Sequence, residues 1–309
     1  MHIFITGICG FIGSNLAQLL KNNGYKVSGI DNLNSYYSPQ QKLENFEKLS
    51  KLNIKIYKED ILEADLGNIL KDTEIIYHLA AQPGISPLVP LSDYINLNII
   101  ATDKLIKAVK NNFCLKLFVN ISTSSVYGKS AISNEDSLLF PSSYYGITKL
   151  AAEQLVMSSF RNENFPACSI RLFSVYGPGE RTDKLYPQLI INSLKHLEVS
   201  IYEGSENHKR SYTYIDDITE GLKLILDNIN KCKGQIYNLG NPESKTTKEA
   251  IEIVEKILAY PVLIKHLPAR LGDQLETRAD ITKIQKDLGF KPKTNLYEGI
   301  NNMINYYKN

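Results

Sequence analysis

Apolar residues in the first half of the chain fall into short β-branched runs, separated by longer stretches where they recur every three or four positions. Alternation between these two periods predicts strand–helix–strand units wound into a parallel sheet. The runs 2–6 "HIFIT", 25–30 "YKVSGI", 53–58 "NIKIYK", 74–79 "EIIYHL", 115–121 "LKLFVNI" and 167–173 "ACSIRLF" predict strands. Helices are expected at 12–23, 38–50, 93–112 and 144–163, the first ended by Gly24. Beyond about residue 174 the rhythm loosens, with helices expected at 185–197, 217–230, 246–259 and 296–308 and strands at 199–202 and 235–239. The pattern implies an α/β protein. A Rossmann-type, doubly wound parallel sheet should occupy 1–173, followed by a smaller C-terminal α/β lobe over 174–309. Segments near 210–240 should return to the first part.

Composition narrows the class. The chain has 309 residues, 43% of them hydrophobic and 22% charged, which is ordinary for a water-soluble domain pair. A net charge of +2 gives no broad field for nucleic acid or a membrane surface. The apolar runs are too short to span a bilayer, and "MHIFITGICG" lacks the build of a signal peptide. Cys9, Cys114, Cys168 and Cys232 are scattered without paired spacing. They read as buried thiols of a reducing compartment, the cytoplasm, and suggest neither disulfides nor a zinc site.

Directly after the first predicted strand, "TGICGFIG" places Gly7, Gly10 and Gly13 where a strand turns into a helix. Glycine there allows the tight turn, the close approach of a pyrophosphate and tight helix–strand packing. The N–H groups at the helix start, around Phe11 and Ile12, then face the phosphates. Asp31, beside Asn32 at the end of the second strand, can accept from the adenosine ribose hydroxyls and repel a 2′-phosphate, favouring NAD. A loop cap is its alternative role. Asp60 and Ile61, closing the third strand, would meet adenine, with a surface-loop carboxylate as the alternative. Leu79, Ala80 and Ala81 close the fourth strand, where small side chains let the backbone pass near the cofactor; His78 reads as a packed strand residue.

The chemistry is expected where "ISTSSVYG" ends the fifth strand, because strand ends line the ligand crevice of such sheets. Thr123, Ser124 and Ser125 lie there. In "PSSYYGITKLAAEQ" Tyr145 stands four residues before Lys149, on one helix face, whereas Tyr144 stands five before it and points elsewhere. A phenol has a pKa near 10. The neighbouring ammonium and an oxidised nicotinamide are expected to lower that of Tyr145, making it a base, while Thr123 holds the same substrate oxygen.

With these motifs in place, the chain resembles the extended short-chain dehydrogenase/reductase family, specifically its nucleotide-sugar epimerases. The resemblance rests on "TGICGFIG", "HLAAQ", "STSSVYG", Tyr145-x-x-x-Lys149, "RLFSVYGPGER", "RSYTYIDD" and "RLGDQLETRAD", spread over residues 6–280. It implies a tightly held NAD, a UDP-sugar on the C-terminal lobe and a homodimer packed through the helices near 93–112 and 144–163. It assigns Thr123, Tyr145 and Lys149 as catalytic residues, with Lys149 also on the nicotinamide ribose. Arg210 and Arg270 would contact the diphosphate, Asp273 the nucleoside ribose, and Arg181 the nucleotide or sugar. Ser124, Ser125 and Ser174 would line the sugar. Dehydratases of the family carry Asp-Glu after the threonine, and decarboxylases a Glu at the position of Ser125, so two serines imply simple 4-epimerisation. The best likeness is to UDP-glucuronate 4-epimerases, although Ser86 stands where those have arginine. The small Thr277 would leave room for a sugar substituent, so glucuronate, glucose and N-acetylhexosamine types all remain.

Overall fold

The computed structural model describes residues 1–36, 38–84, 86, 88–269 and 275–308. Its largest sheet has seven strands: β1 (His2–Thr6), β2 (Lys26–Ile30), β3 (Lys55–Tyr57), β4 (Ile75–His78), β5 (Leu117–Thr123), β6 (Ala167–Leu172) and β7 (Ile236–Leu239). All neighbours pair parallel, in the order β7-β6-β5-β4-β1-β2-β3. The winding reverses between β1 and β4, which opens a crevice above their carboxyl ends.

Helices cover both faces, which is why the strands read as unbroken apolar runs. Ile3, Ile5 and Val119 face a core closed by Leu16 and Leu222, while Phe4, Ile76 and Phe118 face the other, closed by Leu105 and Val156. The helix Tyr144–Glu163 begins where Ser143 accepts from the Gly146 N–H at 3.1 Å and ends at Asn164 in a left-handed conformation (φ 55°).

The helix expected at 93–112 is instead three pieces, Leu91–Tyr94, a π-helical turn Ile95–Ile100, and Ala101–Val109. The wide turn places a buried Asn98 against the end of β4, where its Oδ1 accepts from the Gln82 N–H at 2.8 Å and its Nδ2 donates to Thr148 at 3.0 Å. Short elements without clear periodicity escape a sequence reading, among them the helices Leu66–Leu70 and Thr282–Leu288.

The second part is built from small pieces around its own core of Tyr176, Tyr186, Leu189, Ile201 and Ile300. Strand Ser174–Tyr176 pairs with Tyr212–Tyr214, and Val199–Tyr202 with Ile264–Leu267. A four-stranded sheet joins Lys245–Thr246, Lys209–Arg210, Glu276–Thr277 and Ser130–Ala131. The last of these lies before residue 173, so one segment of the first half belongs structurally with the second. In the other direction, β7 returns to the main sheet beside β6, and helix Ile215–Asp227 packs on helix Phe11–Asn22.

Candidate active site

A crevice of about 930 Å³ runs from the glycine loop, past the end of β5, to the wall formed by Val199–Tyr202 and Arg210. At one end, Gly7 turns the chain with φ +68°, and a β-carbon on it would press the Ala80 backbone at 3.0 Å. A β-carbon on Gly13 would collide with the Gly7 carbonyl. The helix Phe11–Asn22 starts at Gly10 with no side-chain cap and no acid in its first turn, so its N–H groups are available to an anion.

Asp31 lines the same end, 7% exposed. Its Oδ2 accepts from the Cys9 N–H at 3.0 Å and its Oδ1 from the Leu33 N–H at 2.9 Å, with Lys42 Nζ at 3.9 Å. A carboxylate has about four acceptor positions, so capacity remains for a ribose diol. Asn32 donates to Asp60 at 2.7 Å, and Asp60 also caps the Leu62 N–H at 2.8 Å. Asp60 and Ile61 line the crevice, as do Leu79, Ala80 and Ala81. His78 lies behind them, 1% exposed, bonded to Thr6 at 2.8 Å and Thr102 at 2.9 Å. Burial, aided by the charge of Lys149, pushes it down to about 3, so it stays neutral. These groups fit an uncapped pyrophosphate cradle with a diol acceptor one strand away, as NAD requires.

Thr123, Ser124, Ser125, Tyr145 and Lys149 share the middle of the crevice. Tyr144, by contrast, is 53% exposed and outside it. Burial raises the Tyr145 phenol above its ordinary value, and the Thr123 hydroxyl and Arg181 charge only partly offset this. The expected depression by Lys149 is therefore not produced by the chain's own groups. Lys149, 3% exposed, is itself lowered by burial to about 8, with Glu153 opposing the change.

Ser174, Arg181 and Arg210 line the far part of the crevice, as does Ser86. Arg181 Nε donates to Asp183 at 2.9 Å and Nη2 at 2.5 Å, and the guanidinium stacks 5.1 Å from the Tyr36 ring centre. Arg270 and Asp273 lie outside the described residues. Thr277 does not line the crevice; it is 1% exposed, and its hydroxyl accepts from the Ser211 N–H at 3.0 Å. That hydrogen bond fixes the hydroxyl against the neighbouring strand, away from the crevice where the sugar contact was expected.

Sequence reasoning missed several wall residues. Tyr36, on the wall, donates to the Pro83 carbonyl after β4 at 2.9 Å, and behind it Gln41 donates to the Gly179 carbonyl, fastening the segment after β2 to the one carrying Arg181. Glu180 is 8% exposed, with Oε2 lacking a partner among the described residues, and burial raises it well above the usual carboxylate range. The aromatic pair in "NSYYSP" and the acid inside "GPGER" were the available signals. Among the described residues there is no cluster of three or more metal-ligating side chains and no helix long and apolar enough to cross a membrane.

Residues 4–303 match the family described as GDP-mannose 4,6 dehydratase. An uncharacterized UDP-glucose epimerase, YtcB, of Bacillus subtilis (strain 168) is 33% identical over 311 residues, spanning 99% of this chain and 98% of that protein. UDP-glucuronate 4-epimerase 4 of Arabidopsis thaliana is also 33% identical, over 99% of this chain and 75% of its own length. The crystal structure of UDP-glucuronic acid 4-epimerase from Bacillus cereus, with UDP-glucuronic acid and NAD, superposes with a TM-score of 0.94. It is 36% identical and covers 100% of this chain and 99% of its own. With its glycine cradle, Thr–Tyr–Lys group and parallel sheet matched along its length, the chain belongs to the GDP-mannose 4,6 dehydratase family of extended short-chain dehydrogenases/reductases, among their nucleotide-sugar 4-epimerases.

Proposed function

We propose that this protein is an NAD-dependent 4-epimerase of a UDP-sugar that works through a transient 4-keto sugar. The observation that carries the reading is the placement of Thr123, Tyr145 and Lys149 in one continuous crevice between the glycine cradle and Arg210. Gly7, Gly10, Gly13, Asp31 and Lys149 would hold the dinucleotide. When bound, NAD supplies an oxidised nicotinamide that takes the C4 hydride of the sugar and gives it back.

The chain's own part is proton handling and orientation. Thr123 holds the 4-hydroxyl while Tyr145 takes its proton; the keto sugar then presents its other face, and Tyr145 returns the proton. Lys149 contributes positive charge beside the phenol. Ser124 and Ser125 supply no acid for eliminating water, and this favours epimerisation over dehydration or decarboxylation. Among sugars the reading favours a uronate. Ser124, Ser125 and Ser174 offer small hydroxyls to a carboxylate, and the solved relative from Bacillus cereus binds UDP-glucuronic acid.

On this reading the first part of the chain carries the dinucleotide and the second part the nucleotide sugar. The buried free thiols Cys9, Cys168 and Cys232 suit a cytoplasmic protein, while Cys114, expected buried as well, is exposed in the loop before β5. A second copy of the chain would cover Leu91, Ile95, Tyr144 and Ile147, which are 39%, 36%, 53% and 48% exposed on the two helical segments named for pairing. Light scattering would show a monomer if that pairing is wrong.

The test of function is incubation with UDP-glucuronate, UDP-glucose and UDP-N-acetylglucosamine, read by NMR and mass. Inversion at C4 without mass change is expected. Loss of water or carbon dioxide would make the protein a dehydratase or decarboxylase instead.

A further inference from the structure

The lysine this reaction needs is buried, and a buried ammonium gives up its proton unless a negative group offsets its desolvation. The compensating group sits one turn further along the same helix. Tyr145, Lys149 and Glu153 are spaced four apart and form one stripe. Glu153 is 0% exposed. Arg171 of β6 grips its carboxylate with a fork: Nη2 donates to Oε1 at 2.7 Å and Nε to Oε2 at 3.0 Å. Arg171 is fixed in turn by donating through Nη1 to the Tyr127 hydroxyl at 2.8 Å and the Glu135 carbonyl at 3.1 Å. Tyr127 then donates to Asn238 Oδ1 of β7 at 2.8 Å.

A buried ion pair adds little stability over well-packed apolar residues of the same volume, so stability alone is a weak reason for this arrangement. The charges suggest a stronger one. Lys149 and Arg171 are both cations, and the Glu153 carboxylate that Arg171 holds stands one helical turn from Lys149. Arginine keeps its proton in any protein setting. Without the Glu153 charge two buried cations would face each other, and lysine is the one able to become neutral.

On the reading of Lys149 given above, we propose that Glu153 is a positioning residue whose carboxylate, clamped by Arg171, keeps Lys149 charged beside Tyr145. Burial pulls Lys149 down to about 8 and Glu153 pulls it back up. Among the described residues, Tyr145 lies one turn back on the same helix and is raised by burial, and His78 on β4 feels the Lys149 charge and stays neutral. Behind Arg171 stand Tyr127 and Glu135, both also raised by burial.

The sign of two substitutions decides the matter. Glu153→Gln removes the compensating charge, so Lys149 should lose its proton at lower pH. Arg171→Met leaves the Glu153 charge unshared, so Lys149 should hold its proton to higher pH. The measurement is NMR titration of holoenzyme carrying [13Cε]lysine, with the Lys149 signal identified by its loss in Lys149→Arg. Opposite shifts of about one pH unit are expected in the two variants, with the alkaline fall of kcat moving the same way in each. Shifts in one common direction, or an unmoved midpoint with kcat lowered evenly at every pH, would overturn the proposal. Should Glu153→Gln fail to fold, Arg171→Met and the doubly neutral Glu153→Gln/Arg171→Met decide, the first raising the midpoint and the second lowering it. The titration reads Lys149 directly, so wild-type protein that epimerises no UDP-sugar would refute the functional reading and leave this one standing or falling on its own shifts.

Discussion

At the glycine-loop end of the crevice the contacts offered to a ligand are mostly backbone. They are the uncapped N–H groups after Gly10 and the bare chain at Gly7 and Ala80. At the Arg210 end they are side chains, carried on strands two to four residues long such as Lys209–Arg210, Ser174–Tyr176 and Val199–Tyr202. A backbone site depends on shape, and nearly any added atom spoils it. A side-chain site is a set of separable contacts, so its losses should be graded and chemically specific. Tyr145 sits where the two meet, and its replacement should have the largest effect. Tyr145→Phe removes the proton acceptor but keeps the ring, so turnover should fall about a thousandfold, followed by NMR of the product. NAD content, followed by absorbance after gel filtration, should stay at the wild-type level. Loss of NAD together with activity would mean that the phenol belongs to the dinucleotide end instead.

Gly13→Ala tests the backbone end. Its methyl would meet the Gly7 carbonyl and Ile8 Cα, atoms that cannot rotate away. Overpacking of this kind costs about 1–3 kcal/mol, and here it deforms the phosphate cradle itself. NAD retention should drop roughly tenfold or more, while binding of UDP alone, measured by calorimetry, should remain. A variant that kept its NAD would show the cradle to be more pliable than its packing implies.

Arg210→Gln is the matching test at the other end. One charged contact to a diphosphate is worth about 1.5–3 kcal/mol, so KM for the UDP-sugar should rise about tenfold or more. NAD content should not change, and kcat should change less than KM. If KM and NAD retention moved together, the two ends would not be separable.

The same contrast explains what could be read from the sequence. The cradle was legible because its geometry leaves no choice of residue at Gly7 or Gly13, and because the central strands β1, β4, β5 and β6 are buried on both faces and so carry apolar runs. The helix Tyr144–Glu163 was legible from the helix-forming run that follows the two tyrosines, whereas its Ser143 cap emerged only in the structure. The π-helical turn at Ile95–Ile100 was not, because its cause lies far away in sequence, in the Gln82 backbone and Thr148 hydroxyl that Asn98 satisfies. Strand Ser130–Ala131 was illegible for a similar reason: it exists through its pairing with Glu276–Thr277, about 146 positions later. The phenol of Tyr145 shows a limit of a different kind. Spacing put it on one face with Lys149, and both line the crevice, but its protonation is governed by burial, which spacing does not report.

Thr277 gives the smallest expected effect and the sharpest division between packing and recognition. A small residue there reads from sequence as room for a sugar substituent, yet the hydroxyl accepts from the Ser211 N–H at 3.0 Å, next to Arg210. Thr277→Val keeps the shape and deletes the acceptor, leaving a buried backbone donor unsatisfied. The cost should be about 1–3 kcal/mol of stability, read as a lowered midpoint in urea at unchanged slope. If the residue supports the strand and does not touch the sugar, the ratio of kcat/KM values among the three UDP-sugars should stay within about twofold. A variant of unchanged stability whose preference among sugars shifted would put the threonine back on the crevice wall and extend the side-chain end of the site into the four-stranded sheet.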